Sequence, residues 1–185
     1  MNSLPRLCMR IDDDTDLRLY EERHAEEVAE VIDENRSYLR EWLPWVDDSQ
    51  TVEDSRDFIR GSLRQFASSE GFQLGIWYKG NLVGGIGYHP IDWADRKVEI
   101  GYWLARSAQG KGIVTRACEL LITYAFQELG LHKVEIHCAT GNTRSRAIPE
   151  RLGFKQEGII RDGEWLYDHY VDLVIYGLLE NEWKR

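Results

Sequence analysis

At 185 residues, with 43% hydrophobic and 30% charged residues, the chain is expected to fold as one domain spanning residues 1–185, because single domains commonly reach about 150 to 250 residues. No segment approaches the roughly 18 uninterrupted apolar residues of a membrane span. The opening Met-Asn-Ser-Leu-Pro-Arg-Leu-Cys-Met-Arg lacks the apolar core of a secretion signal, so no membrane and a cytoplasmic location are expected. The net charge of -9 argues against general nucleic-acid binding, which draws on clustered Lys and Arg. It suits a cationic partner, or simply solubility.

Residues 1–14 read as a loose lead-in ending in the turn Asp12-Asp13-Asp14. A short strand follows at 17–20, where Leu17 and Leu19 alternate with Arg18 and Tyr20. From His24 to Asn35, Ala25, Val28, Ala29, Val31 and Ile32 fall at helical spacing. A second short helix carrying Tyr38, Leu39 and Trp42 is expected to end at Pro44. Trp42 and Trp45 flank that breaker, and their rings either line a pocket or close one end of the core. Thr51 followed by Asp54 resembles a capping signal for a helix reaching Ser68.

After Gly71 the period changes to that of strands. Residues 72–78 and 82–88, joined by Lys79-Gly80-Asn81, predict a hairpin, and 97–104 a third strand of the meander. A helix beginning near Gly112 would bury Val114, Ala117, Cys118, Leu121 and Ala125 and stop at Gly130. Residues 133–139 alternate, with Val134, Ile136 and Cys138 on one side and Lys133, Glu135 and His137 on the other. Strand, helix and strand in sequence imply a parallel pair joined to an antiparallel meander. A helix at 142–152 closed by Gly153, then strands at 154–161 and 167–178, complete a mixed sheet.

Between the third meander strand and the next helix lies Gln109-Gly110-Lys111-Gly112-Ile113-Val114-Thr115. Its glycines permit a tight bend, and a helix opening there leaves amides and a partial positive charge that favour phosphate. A P-loop would need Ser or Thr after Lys111, and a dinucleotide fingerprint would need Gly at 115; both fail. Cys8, Cys118 and Cys138 are scattered as reduced thiols would be, and neither Cys-x-x-Cys nor His-Glu-x-x-His occurs, so no metal is expected.

Gln109, Gly112 and position 114 resemble the acyl-CoA-binding signature of the GCN5-related N-acetyltransferases (GNAT), although Val114 stands where a small residue is usual. Glu99-Ile100-Gly101-Tyr102-Trp103-Leu104, Asn142-x-x-Ser145, and Leu152-Gly153-Phe154 followed by Glu157-Gly158 extend the resemblance over residues 17–183. It is nearest to the ribosomal-protein N-terminal acetyltransferases, in particular the ribosomal-protein-serine branch. The resemblance implies an α+β domain with a mostly antiparallel seven-stranded sheet, a splayed parallel pair and helices on both faces. It implies acetyl-CoA as cofactor, with main-chain groups of Trp103 and Leu104 along the pantetheine arm, Asn142 near it, and the Gln109–Thr115 amides on the pyrophosphate. Lys111, Arg116 and Arg144 either meet phosphates or remain solvated.

The implied acceptor is an amine, in first place the N-terminal α-amine of a ribosomal protein. Alternatives are a small amine such as a polyamine or aminoglycoside, or a CoA-binding regulatory module without turnover. Glu99 is the candidate base, or else a carboxylate paired with Lys97 or Arg96; His89, His137 and His169 are alternatives. Many relatives carry a Tyr proton donor seven residues after the Asn, where this chain has Pro149, which leaves Ser145 as the candidate hydroxyl. Cys138 is expected to be a core thiol rather than an acetyl carrier. Trp42, Trp45, Trp165 and Tyr167 are expected at the acceptor pocket. The sequence leaves the oligomeric state open, a homodimer included.

Overall fold

The computed structural model describes residues 8–184. Its strands are β1 (Cys8–Arg10), β2 (Thr15–Leu19), β3 (Phe72–Tyr78), β4 (Asn81–Tyr88), β5 (Lys97–Leu104), β6 (Lys133–Ala139), β7 (Lys155–Leu166) and β8 (His169–Leu179). They form an 8-stranded sheet in the order β1-β2-β3-β4-β5-β6-β8-β7. All neighbours are antiparallel except β5 and β6. The strand beyond the expected seven is β1, which pairs with β2 across the Asp12–Asp14 turn where a loose lead-in was expected. The rest of that lead-in, residues 1–7, lies outside the described residues.

Helices α1 (Ala25–Leu39), α2 (Val52–Ala67), α3 (Ile113–Gln127) and α4 (Thr143–Leu152) cover both faces. Helix α1 runs unbroken through Tyr38 to Leu39, since no breaker lies between Asn35 and Leu39; Pro44 instead opens a 3-10 turn at Pro44–Asp48. No second helix forms at 38–42. Helix α2 starts as expected: Thr51 Oγ1 accepts from the Asp54 amide, and Asp54 accepts from the Thr51 amide at 2.8 Å.

Two hydrophobic clusters lie on opposite faces of the sheet. On one face Ile113, Ala117, Cys118, Leu121, Ile122 and Ala125 of α3 pack on Leu74, Ile76, Ile86, Ile100 and Val134. On the other Ala25, Val28 and Ile32 of α1 and Ile59 of α2 pack on Tyr20, Trp77 and Leu82. Leu121 is 0% exposed, so truncating it to Ala would cost about 2 to 5 kcal/mol. The period-two alternation of β5 divides its side chains between these faces: Ile100, Tyr102 and Leu104 join the α3 side, and Trp103 the α1 side.

Candidate active site

The parallel pairing of β5 with β6 comprises Lys97↔Lys133, Val98↔Val134 and Glu99↔Glu135 and ends there. Beyond it β5 continues to Leu104 against β4, while β6 continues to Ala139 against β8, so the two strands separate and open a gap in the sheet. The His89 amide donates to the Glu99 carbonyl and the Ala105 amide to the Val83 carbonyl. Odd-numbered β5 residues therefore turn their main-chain groups toward β4, and even-numbered ones toward the gap. The main chain of Leu104 faces the gap. That of Trp103 is committed to β4, although the residue lines both cavities.

At the wide end of the gap is a cavity of about 840 Å³. Gln109, Gly110, Gly112, Ile113, Val114 and Thr115 form one wall; Asn142, Arg144, Ser145 and Arg151 face them. Gly110 and Gly112 hold φ of 73° and 70°, left-handed values that cost other L residues about 1 to 2 kcal/mol. Gly112 is the N-cap of α3 and supplies no side chain to the first helical amides, which are left as donors in a positive field. Arg144 donates to Gln109 Oε1 and Arg151 to Thr115 Oγ1, placing two guanidinium groups across from those amides. Arg116 also lines the cavity and is held by Asp12 and the Lys111 carbonyl. The Lys111 ammonium donates to the Ser107 carbonyl at 2.6 Å and is not part of the wall. Val114 is 7% exposed and sits in the α3 core.

Asn142 caps α4, its Oδ1 accepting from the Ser145 amide at 3.1 Å. The Ser145 hydroxyl donates to the Tyr102 hydroxyl at 3.1 Å, and the Tyr102 hydroxyl donates to the Ser145 carbonyl at 3.0 Å. Cys138 Sγ lies 3.2 Å from Ser145 Oγ. Burial pushes both the Tyr102 phenol and the Cys138 thiol above their usual range. The Cys138 thiol is therefore neutral and packed, as expected of a core cysteine.

A second cavity, of about 710 Å³, opens on the α1 and α2 side of the gap. Trp42, Leu43, Tyr102, Trp103, Asn142 and Ser145 line both cavities, so the two meet at the separated strands. Glu99, Asp48, Asp54, Glu164, His89 and His137 are among the ionisable groups of the second cavity, and among the described residues no Lys or Arg lines it. Glu99 is not paired with Lys97 or Arg96, which turn to Asp92 and Asp95 and to Glu180. Its carboxylate lies 3.3 Å from His137 Nδ1 and 3.9 Å from His89 Nε2. Gly101 makes room for the His89 ring, since a Cβ there would stand 2.6 Å from Nε2.

Sequence reasoning missed Glu164 and Tyr102. Glu164 follows a register shift between Ile160 and Glu164 in the β7–β8 pairing, and burial together with the Glu99 charge raises its carboxyl above the usual range. Gly163 immediately before it, a glycine inside a strand, was the available signal for that bulge.

Trp45 stands in the second cavity, its ring 6.0 Å from that of Trp103 in an edge-to-face contact. Trp165 is not in either wall; it is 50% exposed on β7 and packs on Tyr170. Tyr167 sits at the β7–β8 turn with its hydroxyl donating to the Leu43 carbonyl and the Arg40 guanidinium over its ring. It braces the Trp42–Pro44 segment from outside. His169 pairs with Asp168 at the same turn, away from the cavities. Among the described residues no helix is long and apolar enough to cross a membrane.

A family model described as "Acetyltransferase (GNAT) domain" matches residues 15–155. The "Putative ribosomal N-acetyltransferase YdaF" of Bacillus subtilis is 43% identical over 95% of this chain and 96% of its own. The ribosomal-protein-serine acetyltransferase of Escherichia coli is 29% identical over 91% and 94%. Among solved structures, the microcin C7 self-immunity acetyltransferase MccE in complex with acetyl-CoA and AMP is 30% identical, with a TM-score of 0.88 over 92% of this chain and 95% of that one.

Proposed function

This chain belongs to the GNAT family of N-acetyltransferases, and from that premise we propose that it transfers the acetyl group of acetyl-CoA to the N-terminal α-amine of a ribosomal protein. The observation that carries the reading is the meeting of two cavities at the separated strands, one walled by uncapped helix amides and guanidinium groups and the other by carboxylates. The first fits a pyrophosphate: the α3 amides have no side-chain cap, and Arg144 and Arg151 stand opposite. Acetyl-CoA, when bound, supplies the acetyl thioester.

The protein's own residues then do three things. Leu104 turns its main-chain N–H into the gap, where it can polarise a carbonyl. Glu99 takes a proton from the acceptor ammonium, directly or through water. Ser145, by turning its O–H from Tyr102 into the gap, offers a proton to the departing thiolate, with the Tyr102 hydroxyl behind it.

The acceptor class follows from proton energetics and charge. Deprotonating an α-amine of pKa about 7.7 to 8.0 costs about 1 kcal/mol at pH 7, against about 4.6 kcal/mol for a lysine near 10.4. A solvent-accessible carboxylate suffices for the first and is a poor match for the second. Asp48, Asp54, Glu99 and Glu164, with no Lys or Arg among the described residues of the wall, favour a cationic terminus from a basic protein. The 43% identical relative carries a ribosomal acceptor in its name.

A second reading, a small amine as acceptor, draws on the same carboxylates and on Trp42 and Trp45, and the 30% identical relative solved with AMP binds a small ligand. Release of free thiol from acetyl-CoA, followed over a panel of ribosomal-protein N-terminal peptides, their N-acetylated controls and small amines, separates the readings. Turnover confined to free-amine peptides is expected, and turnover confined to polyamines or aminoglycosides would replace the first reading with the second.

A further inference from the structure

Acetylation of an amine that arrives as an ammonium releases one net proton. The nitrogen loses two protons, the thiolate keeps one, and the other must reach solvent. Glu99, whose side chain is 30% exposed in the free protein, is covered further once an acceptor fills the cavity, so a proton held there needs an exit other than the mouth.

We propose that His137 relays this proton from Glu99 to Glu135 and so to solvent along β6. The inference rests on Glu99 acting as the base. His137 Nδ1 lies 3.3 Å from Glu99, and its Nε2 lies 3.1 Å from Glu135. Glu135 in turn lies 2.8 Å from the Lys133 ammonium, which lies 2.6 Å from Glu157. Residues 133, 135 and 137 share one face of β6 by the period of a strand, and Glu99 joins them because Glu99↔Glu135 is the last parallel pair before the gap. The far end is shaped by Gly177, opposite Glu135 on β8: a Cβ there would stand 2.4 Å from Glu157 Oε1. Its absence lets Glu157 of β7 reach across β8 to Lys133.

The groups facing His137 are Glu99 from β5 and Glu135 from its own strand, with Glu164 of β7, His89 beside Glu99, and Asp48 and Asp54 in the same cavity wall. Its register partner on β8 is the apolar Ile175. An imidazole between two carboxylates can accept at one nitrogen while donating from the other. Glu99 returns its proton to Nδ1, the Nε2 proton passes to Glu135, and Glu135 releases it to water beside Lys133. The ring, 23% exposed, regains its starting tautomer by exchange with water. Burial works to raise the Glu135 carboxyl, but the hydrogen bonds and charge of Lys133 and His137 outweigh it and hold the group below the usual range, so it does not retain the proton.

His137 is thus a positioning and relay residue, and the test must read proton movement. In His137→Ala, kcat is expected to fall about tenfold or more with the acetyl-CoA KM unchanged, and added imidazole is expected to restore it in proportion to its unprotonated fraction. Glu135→Gln, which can hold the ring without taking a proton, is expected to lose kcat likewise. His137→Gln, of similar bulk and polarity, is run alongside so that the result does not hang on one variant folding, and it too should lose kcat. Wild-type kcat and pH profile in the His137 variants, or a loss in His137→Ala that imidazole does not repair, would overturn the relay. Glu99→Gln distinguishes the layers: if it is impaired while the His137 variants are not, the relay fails and the base stands; if it matches the wild type, the base assignment itself fails.

Discussion

Pro149 and Tyr102 are complementary halves of one hydrogen bond. A residue with an N–H at position 149 of α4 would donate to the carbonyl four residues back, that of Ser145. Pro149 cannot, and the Tyr102 hydroxyl reaches across from β5 to donate to that carbonyl at 3.0 Å. The same phenol oxygen accepts from the Ser145 hydroxyl. The aromatic hydroxyl absent from the α4 position where the family resemblance implies one is therefore present nearby on β5, tied to Ser145 at both its carbonyl and its side chain.

Tyr102→Phe should leave the Ser145 carbonyl without a donor and cost about 1 to 3 kcal/mol of stability. In a Pro149→Ala background the restored residue-149 amide takes over, so the same change should cost less, by a coupling of about 1 kcal/mol. Chemical denaturation of the four proteins of this cycle measures it. Equal costs in both backgrounds would mean that Tyr102 does not substitute for the missing amide.

The Gln109–Thr115 loop predicts a contrast between two glycines. Both sit at left-handed φ, but only at Gly112 would an added Cβ crowd a neighbour, standing 2.9 Å from an Arg116 nitrogen. Gly110→Ala should cost about 1 to 2 kcal/mol of strain, roughly 2 to 8 °C in Tm for a chain of this size. Gly112→Ala should show a similar fall and in addition weaken acetyl-CoA binding, because it displaces the Arg116 guanidinium that lines the cavity. Calorimetry and titration of the cofactor separate the two effects.

Glu164 makes a prediction in pH. Burial, then the charge on Glu99, raises its carboxyl above the unfolded value of 4.5. A raised folded value favours the protonated form, so the favourable contribution is complete below 4.5 and is lost as pH climbs through the folded value. At neutral pH the ionised Glu164 therefore destabilises the fold, and Glu164→Gln should be more stable than the wild type. Because the group is only half-buried, solvent screening holds the gain below about 1 kcal/mol. Thermal melts at pH 7 and pH 4 should show the gain at the first and none at the second.

Much of this arrangement was legible in the chain. Strands 97–104 and 133–139 are found at the expected residues because each alternates cleanly and is bounded by turns, and the Thr51–Asp54 signal forms the capping box it resembles. Gln109–Thr115 lies at the start of α3 because glycine spacing encodes its backbone directly. Three kinds of feature escaped. Cys8–Arg10 is too short to show a period and owes its strand form to β2. Glu164 lines the second cavity because a bulge re-aims β7, while Trp165 beside it turns to the surface. Tyr102 and Ser145 are 43 residues apart, and only the folded chain brings them together.

N-terminal acetylation of ribosomal proteins is tested by mass spectrometry of their N-termini from cells with and without this protein. At least one N-terminus is expected to be acetylated only when the protein is present, and the Glu99→Gln variant is expected not to restore the modification. N-terminal acetylation unchanged by removal of the protein across all ribosomal proteins would contradict the proposed function.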